Sequence, residues 1–427
     1  MRGAVLALLA LTSCGRPSPE AQLDPEACVS CHPAHVQSWR GSMHAHAADD
    51  PLFVAMNAAA VQSGQVEPDF CVSCHAPVAL RLGETTDGTD LDEVDPSLRG
   101  VTCAFCHQLD GVEGDANGEV SWAHDGVMRG GIADPMRSVQ HRSAYSPLLD
   151  RNATESSDAC GACHDVRLPD GLHLERTYAE WDATIFATDG AARQSCAHCH
   201  LPGRPGVVAP GGPERVVHDH AMPGVDVALV DWPERDAQRA AIQDLLDRTL
   251  TAELCVSPAA GATEISLTLE NVAAGHDVPS GASHDRRMWV EVRGRRGGEV
   301  VYDSGVIADG ERLDALVDPD LVALHDVATT RDGSVSHSIF DAVDLEERAL
   351  VGAPDPLVPH ARTTRWNVAG AVLDQVDVRV RLRPVGLDVL DHHIDAGRLD
   401  ADLRAEMPTF DLGSTVLSWS GPAGCVR

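Results

Sequence analysis

A chain of 427 residues is long enough for two or three domains and a sizeable buried core. Its 65 acidic residues face 33 basic ones, all of them arginine, for a formal charge of −32. That balance excludes nucleic acid as a partner, because phosphate binding needs a positive face, and it suits solubility or docking to a basic protein.

In chain order, the first element is Met-Arg followed by the apolar run Ala4 to Leu11 and then "LTSC", ending at Cys14. Residues 1–14 resemble the signal peptide and lipobox of bacterial lipoprotein precursors, with lipid attached to the Cys14 thiol. The run is too short to span a bilayer. Gly15, where an Asp would favour inner-membrane retention, points to the outer membrane, and 15–26 reads as a Pro/Ser-rich tether. Everything after residue 14 is expected to be exported.

Five C-x-x-C-H units follow: Cys28/Cys31/His32, Cys71/Cys74/His75, Cys103/Cys106/His107, Cys160/Cys163/His164 and Cys196/Cys199/His200. This is the attachment signature of c-type haem, in which two thioethers hold the porphyrin and the adjacent His ligates the iron. One turn between the cysteines lets both sulfurs reach the same edge of the ring. Zinc sites need paired C-x-x-C units or spaced histidines and do not demand His behind every second Cys; a thioredoxin-like motif occurs once per domain. Five covalent haems c are therefore expected. At about one haem per 35 residues the rings are expected to form the core themselves, with short helices at the motifs and long loops between them.

The Pro/Gly-rich stretch 201–215 predicts irregular structure. Residues 234–254 place Ala237, Ala241, Ile242, Leu245 and Leu246 at helical spacing. Beyond Cys255 the period changes to two, in Ile265/Leu267/Leu269, Met288/Val290/Val292 and Val378/Val380/Leu382, which predicts an antiparallel β-sandwich with a helical insertion near 387–405. Of 13 cysteines, ten hold haem and Cys14 takes lipid; the remaining pair, Cys255 and Cys425, brackets this last part and reads as a disulfide in an oxidising compartment. The expected fold is thus α+β: a haem-packed, mostly α/loop domain over 27–225, a linker and helix over 226–254, and an antiparallel β-sandwich-like domain over 255–427.

"CVSCHPAHVQSWRGSMHAHA", "FCVSCHAP", "RGVTCAFCHQLDG", "HRSAYSPLLDRNATESSDACGACHD" and "TYAEWDATIFATDGAARQSCAHCHLPG" resemble the multihaem c-type cytochromes that include hydroxylamine oxidoreductase and its tetrahaem electron-acceptor cytochrome. The likeness covers about 26–225. "NVAAGHDVPSGASHDRRMWVEV" is similar to an N-x-x-A-G-H-x-x-P-[ST]-G element of the β domain appended to many such proteins. The resemblance implies two histidines on most irons. By position it makes His44, in S-x-H-A, His141, in H-x-x-x-x-S-P, and His220, in "HDHAMPG", distal ligands. His46, His124, His218 and His276 read either way, as ligands or as ordinary residues. His35 and His198 are expected to be bystanders, and His325, His337, His360, His392 and His393 to be solvated.

If every iron has two histidines, the chain can only pass electrons between redox partner proteins; an open iron would admit a small inorganic nitrogen or sulfur compound. The resemblance extends to ammonia-forming nitrite reductases and octahaem tetrathionate reductases, but their catalytic haem is Lys-ligated and this chain has no Lys. Hydroxylamine oxidoreductase needs more haems and a cross-linked Tyr. No catalytic residue is assigned, and an electron carrier in the periplasm or at the outer membrane is the expectation.

Overall fold

The computed structural model describes residues 18–427 apart from 260, 339, 348–350 and 355–359. The signal peptide and Cys14 lie outside the described residues. The architecture is α+β.

Two helices lead the haem-binding half. Helix α1 (Pro33–Arg40) starts on Pro33, which tolerates the first helical position because its missing N–H has no partner to lose. Helix α2 (Pro51–Ser63) is capped by Asp50, whose carboxylate accepts from the amides of Leu52 and Phe53 and also from Leu229 at 3.1 Å. Most of the motifs fold into single-turn helices, such as Cys103–His107 and Cys196–His200.

The connections are more regular than expected. Leu109–Val112 pairs antiparallel with Val120–Trp122, Val127–Gly130 runs parallel with Arg142–Tyr145, and Val166–Arg167 pairs with His173–Glu175. The stretch expected to be irregular contains the hairpin Gly203–Val207/Glu214–His218. Pro205 sits there on a strand whose other edge is unpaired, the place where a proline costs no ladder bond. This half also has an apolar cluster of its own, around Val72, Val78, Ala79, Ala104 and Phe105, so its core is not porphyrin alone.

Helix α3 (Arg235–Thr249) buries Ile242 and Leu246. The helical spacing read to 254 stops earlier, because Leu250, Ala252, Leu254 and Val256 are buried at every second position and lie in strand β1 (Leu250–Ala259). The strands of the two main sheets that follow are β2 (Ala262–Asn271), β3 (Arg287–Arg296), β4 (Glu299–Ser304), β5 (Ala361–Ala369), β6 (Gln375–Arg383), β7 (Phe410–Asp411), β8 (Leu417–Ser420) and β9 (Gly424–Val426), with the short Val322–Ala323 also on β3. They form two antiparallel sheets, one ordered β5-β2-β1-β9 and the other β4-β3-β6-β7 with β8 also on β6. One apolar cluster draws on both, from Leu254, Ile265 and Leu267 to Met288, Val290 and Val380, and so makes a sandwich. The disulfide Cys255–Cys425 joins directly opposed residues of β1 and β9. Helix α4 (Leu387–Asp395) is the helical insertion.

Arg381 and Arg383 of β6 are buried and lie over the Trp289 ring, with Arg381 paired to Asp309 and Asp411. One expectation about this half changes. His325 and His393, read as solvated, are buried; α4 presents His393 to the interior, where Arg398 donates to its Nδ1 at 3.3 Å.

Candidate haem-binding site

The "WRGSMHA" stretch shows how sequence places a ligand. Trp39 Nε1 donates to the Val101 carbonyl at 2.8 Å, Ser42 Oγ donates to the Trp39 carbonyl at 2.6 Å, and Ser42 caps the turn Met43–His46. The Val101 amide then donates to the His44 carbonyl at 2.8 Å. Gly100 has φ +71°, and a Cβ there would stand 2.6 Å from the His44 oxygen, so only glycine allows the approach. His44 is thereby directed away from the motif next to it. Its ring centroid lies 6.0 Å from that of His164, in the fourth motif. Burial, with His164 and His75 beside it, pulls His44 down to about 3 and keeps it neutral.

Three further pairs repeat this spacing: His32 with His141 at 6.2 Å, His107 with His220 at 6.3 Å, and His200 with His276 at 6.4 Å. Two imidazoles bound at about 2 Å to one metal put their centroids roughly 6 Å apart. The nitrogens agree. His32, His75, His107 and His200 direct Nδ1 at the carbonyls of Val208, Ala47, Arg129 and Pro223, at 2.6–3.0 Å. His141, His220 and His276 do the same to Arg142, His218 and Asp277. A carbonyl only accepts, so Nδ1 carries the proton in all seven and Nε2 keeps the lone pair a metal needs.

The structure does not bring the other three candidates, His46, His124 and His218, to a proximal ring. His46 spends Nε2 on the Arg40 carbonyl at 3.0 Å and lies against Trp232. His124, held at φ 43°, stacks on Trp122 at 4.6 Å. His218 bonds the Leu201 carbonyl through Nδ1 and faces no proximal ring. His35 packs edge-on against His220 at 4.9 Å, and His198 is tied to Ser195. Among the described residues no second imidazole stands about 6 Å from His75; the ring beside it is Phe53, stacked at 4.1 Å.

None of the motif cysteines is taken up in a disulfide; the bonded pair among the described residues is Cys255 and Cys425. Cys28 lies within hydrogen-bonding reach of Cys103, Cys74 of Cys163, and Cys160 of Cys196, so motif one adjoins three, two adjoins four, and four adjoins five. Among the described residues the only convergent group of three metal-ligand types is Asp314, His337 and Asp388, which contains no motif cysteine. The donor set therefore fits one haem per motif rather than a thiolate cluster.

Sequence reasoning missed the groups that join the two halves. Asn271, buried, donates to the His276 carbonyl at 2.9 Å and accepts from the Ala274 amide, which accounts for N-x-x-A-G-H. Glu180 accepts from Ser280 Oγ at 2.6 Å and from the Asp277 amide, fastening that element to the haem-binding half. Burial raises Glu180 to about 7, and Glu175 likewise. Arg286 grips Asp226 through two bonds of 2.7 and 3.0 Å. Although burial opposes ionisation, that guanidinium keeps the Asp226 carboxyl below its ordinary range. Serine, glutamate and arginine carry no spacing signal of their own, so only the fold reveals these contacts.

Attachment motifs on an α+β frame with opposed imidazoles fit the class of multihaem c-type cytochromes. Its cofactor is covalently bound haem c, for which the chain offers five attachment motifs. Residues 27–108 match the family described as cytochrome c554 and c-prime. The fold is similar to that in the crystal structure of a penta-haem cytochrome c552 from Thermochromatium tepidum, with a TM-score of 0.65, 19% identity, and coverage of 93% of this chain and 98% of that one. No curated protein matches the sequence.

Proposed function

We propose that the chain is a five-haem electron carrier, exported and held at the outer membrane by lipid on Cys14. The observation that carries this reading is the four imidazole pairs at 6.0–6.4 Å. His32/His141, His107/His220, His164/His44 and His200/His276 would each hold one iron from both sides, leaving no position for a substrate. The haem supplies reversible one-electron redox chemistry. The protein fixes the tautomers, excludes water and packs the motifs in contact order one–three and two–four–five. Motif cysteine Cys106 lies near Cys160 and Cys163, which supports a junction between the two series. Export is supported by the leader and the Cys255–Cys425 disulfide, and no helix among the described residues is long and apolar enough to cross a membrane. The haem-binding half (27–225) and the β half (255–427) act as one unit, since His276 comes from the second.

A second reading is favoured by His75. With Phe53 beside it and no opposed imidazole, the iron held by Cys71, Cys74 and His75 would be open to a small nitrogen or sulfur species. Electron paramagnetic resonance of the fully oxidised protein, after a haem count per chain, tests both readings. Four low-spin irons and one high-spin iron that binds nitric oxide are expected. A count below five removes the carrier as described, and five low-spin irons remove the open site.

A further inference from the structure

The surface around the first motif departs from the rest of the molecule. Two segments frame the His32/His141 pair. Hairpin 203–218 supplies the Val208 carbonyl to His32, and loop 131–142 ends in His141. The segments are joined by Arg215, which donates to Asp134 at 2.8 Å. A cleft opens between the first motif and the hairpin, along Cys31, His32, Val207, Val208 and Pro210.

This rim is apolar and exposed: Met136 is 54% accessible, Val139 65%, Val207 51% and Val216 55%. It is also locally basic. The two segments hold Arg137, Arg142, Arg204 and Arg215 against Asp134 and Glu214, in a chain whose acids outnumber its bases two to one. Arg137 and Arg204 are exposed, and among the described residues no carboxylate pairs with either, although acids are abundant.

We propose that this rim is the docking face for an acidic electron-transfer protein, which exchanges electrons with the haem held by Cys28, Cys31 and His32. The proposal rests on the carrier reading above. A central apolar patch edged by cations is how transient partners are oriented, the charges setting encounter and the apolar contact holding it. The net charge repels an acidic partner everywhere else, so the rim selects one approach. An anionic membrane would meet the same repulsion over a far larger contact, which favours a protein. Each encounter moves one electron: the partner is oxidised by one, one ferric iron becomes ferrous, and no bond changes.

Stopped-flow reduction of the haem-loaded chain tests it, with reduced flavodoxin as acidic donor and a reduced basic cytochrome c as comparison. Arg137→Glu/Arg204→Glu is expected to slow the flavodoxin reaction by about tenfold and not to slow the basic donor. Arg137→Gln/Arg204→Gln should fall between. Reduction by dithionite checks that the haems are loaded and competent; its failure in the unmodified chain would remove the carrier reading itself. A loss under twofold, or equal losses with both donors, overturns the docking face. So does binding to phosphatidylglycerol vesicles that the Glu variant abolishes, which would assign the rim to a membrane.

Discussion

Arg286→Met removes a buried tie between the β half and the linker that enters it. The guanidinium, 8% accessible, donates to both Asp226 oxygens, to the Ser280 carbonyl at 2.9 Å and to the Pro384 carbonyl at 3.1 Å. Breaking a buried ion pair by removing one partner costs about 3–5 kcal/mol. Asp226 is 45% accessible beside its buried partner, so solvent screens part of that loss and about 2–3 kcal/mol is the better figure. At about 2–4 °C per kcal/mol the unfolding midpoint should fall by roughly 5–10 °C at pH 7, read by calorimetry on the haem-loaded protein. The sign with pH follows from Asp226. Its folded pKa is depressed, so its contribution is full above the ordinary carboxylate range and is lost as pH falls through the folded value. The deficit of the variant should therefore shrink toward acid pH. Adding Asp226→Asn to Arg286→Met should restore part of the loss, since no unpaired carboxylate remains. Midpoints equal within a degree at pH 7, or a deficit that grows on acidification, would refute the reasoning.

His276→Ala is expected to convert one haem per chain from low to high spin, and His46→Ala none, by electron paramagnetic resonance; the reverse outcome would sink the pairing of His276 with His200. Cys255→Ser/Cys425→Ser reopens a loop of sequence separation 170, worth up to about 5 kcal/mol by chain entropy, and should lower the urea midpoint of the β half. Reductant should move only the unmodified chain toward that value, and a midpoint insensitive to both would count against the bridge. Glu180, raised to about 7 by burial, costs folding stability as pH climbs from the unfolded value to the folded one. Glu180→Gln should flatten that slope between about pH 4.5 and 7 while keeping the oxygen that accepts from Ser280; an unchanged slope would show that another group titrates there.

What was legible depended on range. The five attachment motifs are complete in five consecutive residues, and the β strands declare themselves through period-two burial, as at Ile265, Leu267 and Leu269. The pairing of Cys255 with Cys425 could be found because the other eleven cysteines already had assignments. Distal ligation is a long-range property: His44 looked close to the first motif, but the Trp39–Val101–Gly100 contacts turn it toward His164. His46 and His124 matched His44 and His141 by residue type alone, and a backbone carbonyl and a tryptophan face decide against them. The hairpin at 203–218 hid behind Pro205, because a proline forbids only an inner strand.

The seat of His276 on the β half also sets an order of construction. A chain exported N-terminus first presents all five cysteine pairs before that half exists. His44 emerges ahead of the motif it faces, while His141 and His220 follow theirs within the same half. His276 comes later, on a loop that Asn271 shapes and Glu180 fastens, and Cys425 closes the sandwich later still. If His276 ligates the iron opposite His200, that haem is the last of the five to be finished, and its spectrum then also reports whether the β half has folded.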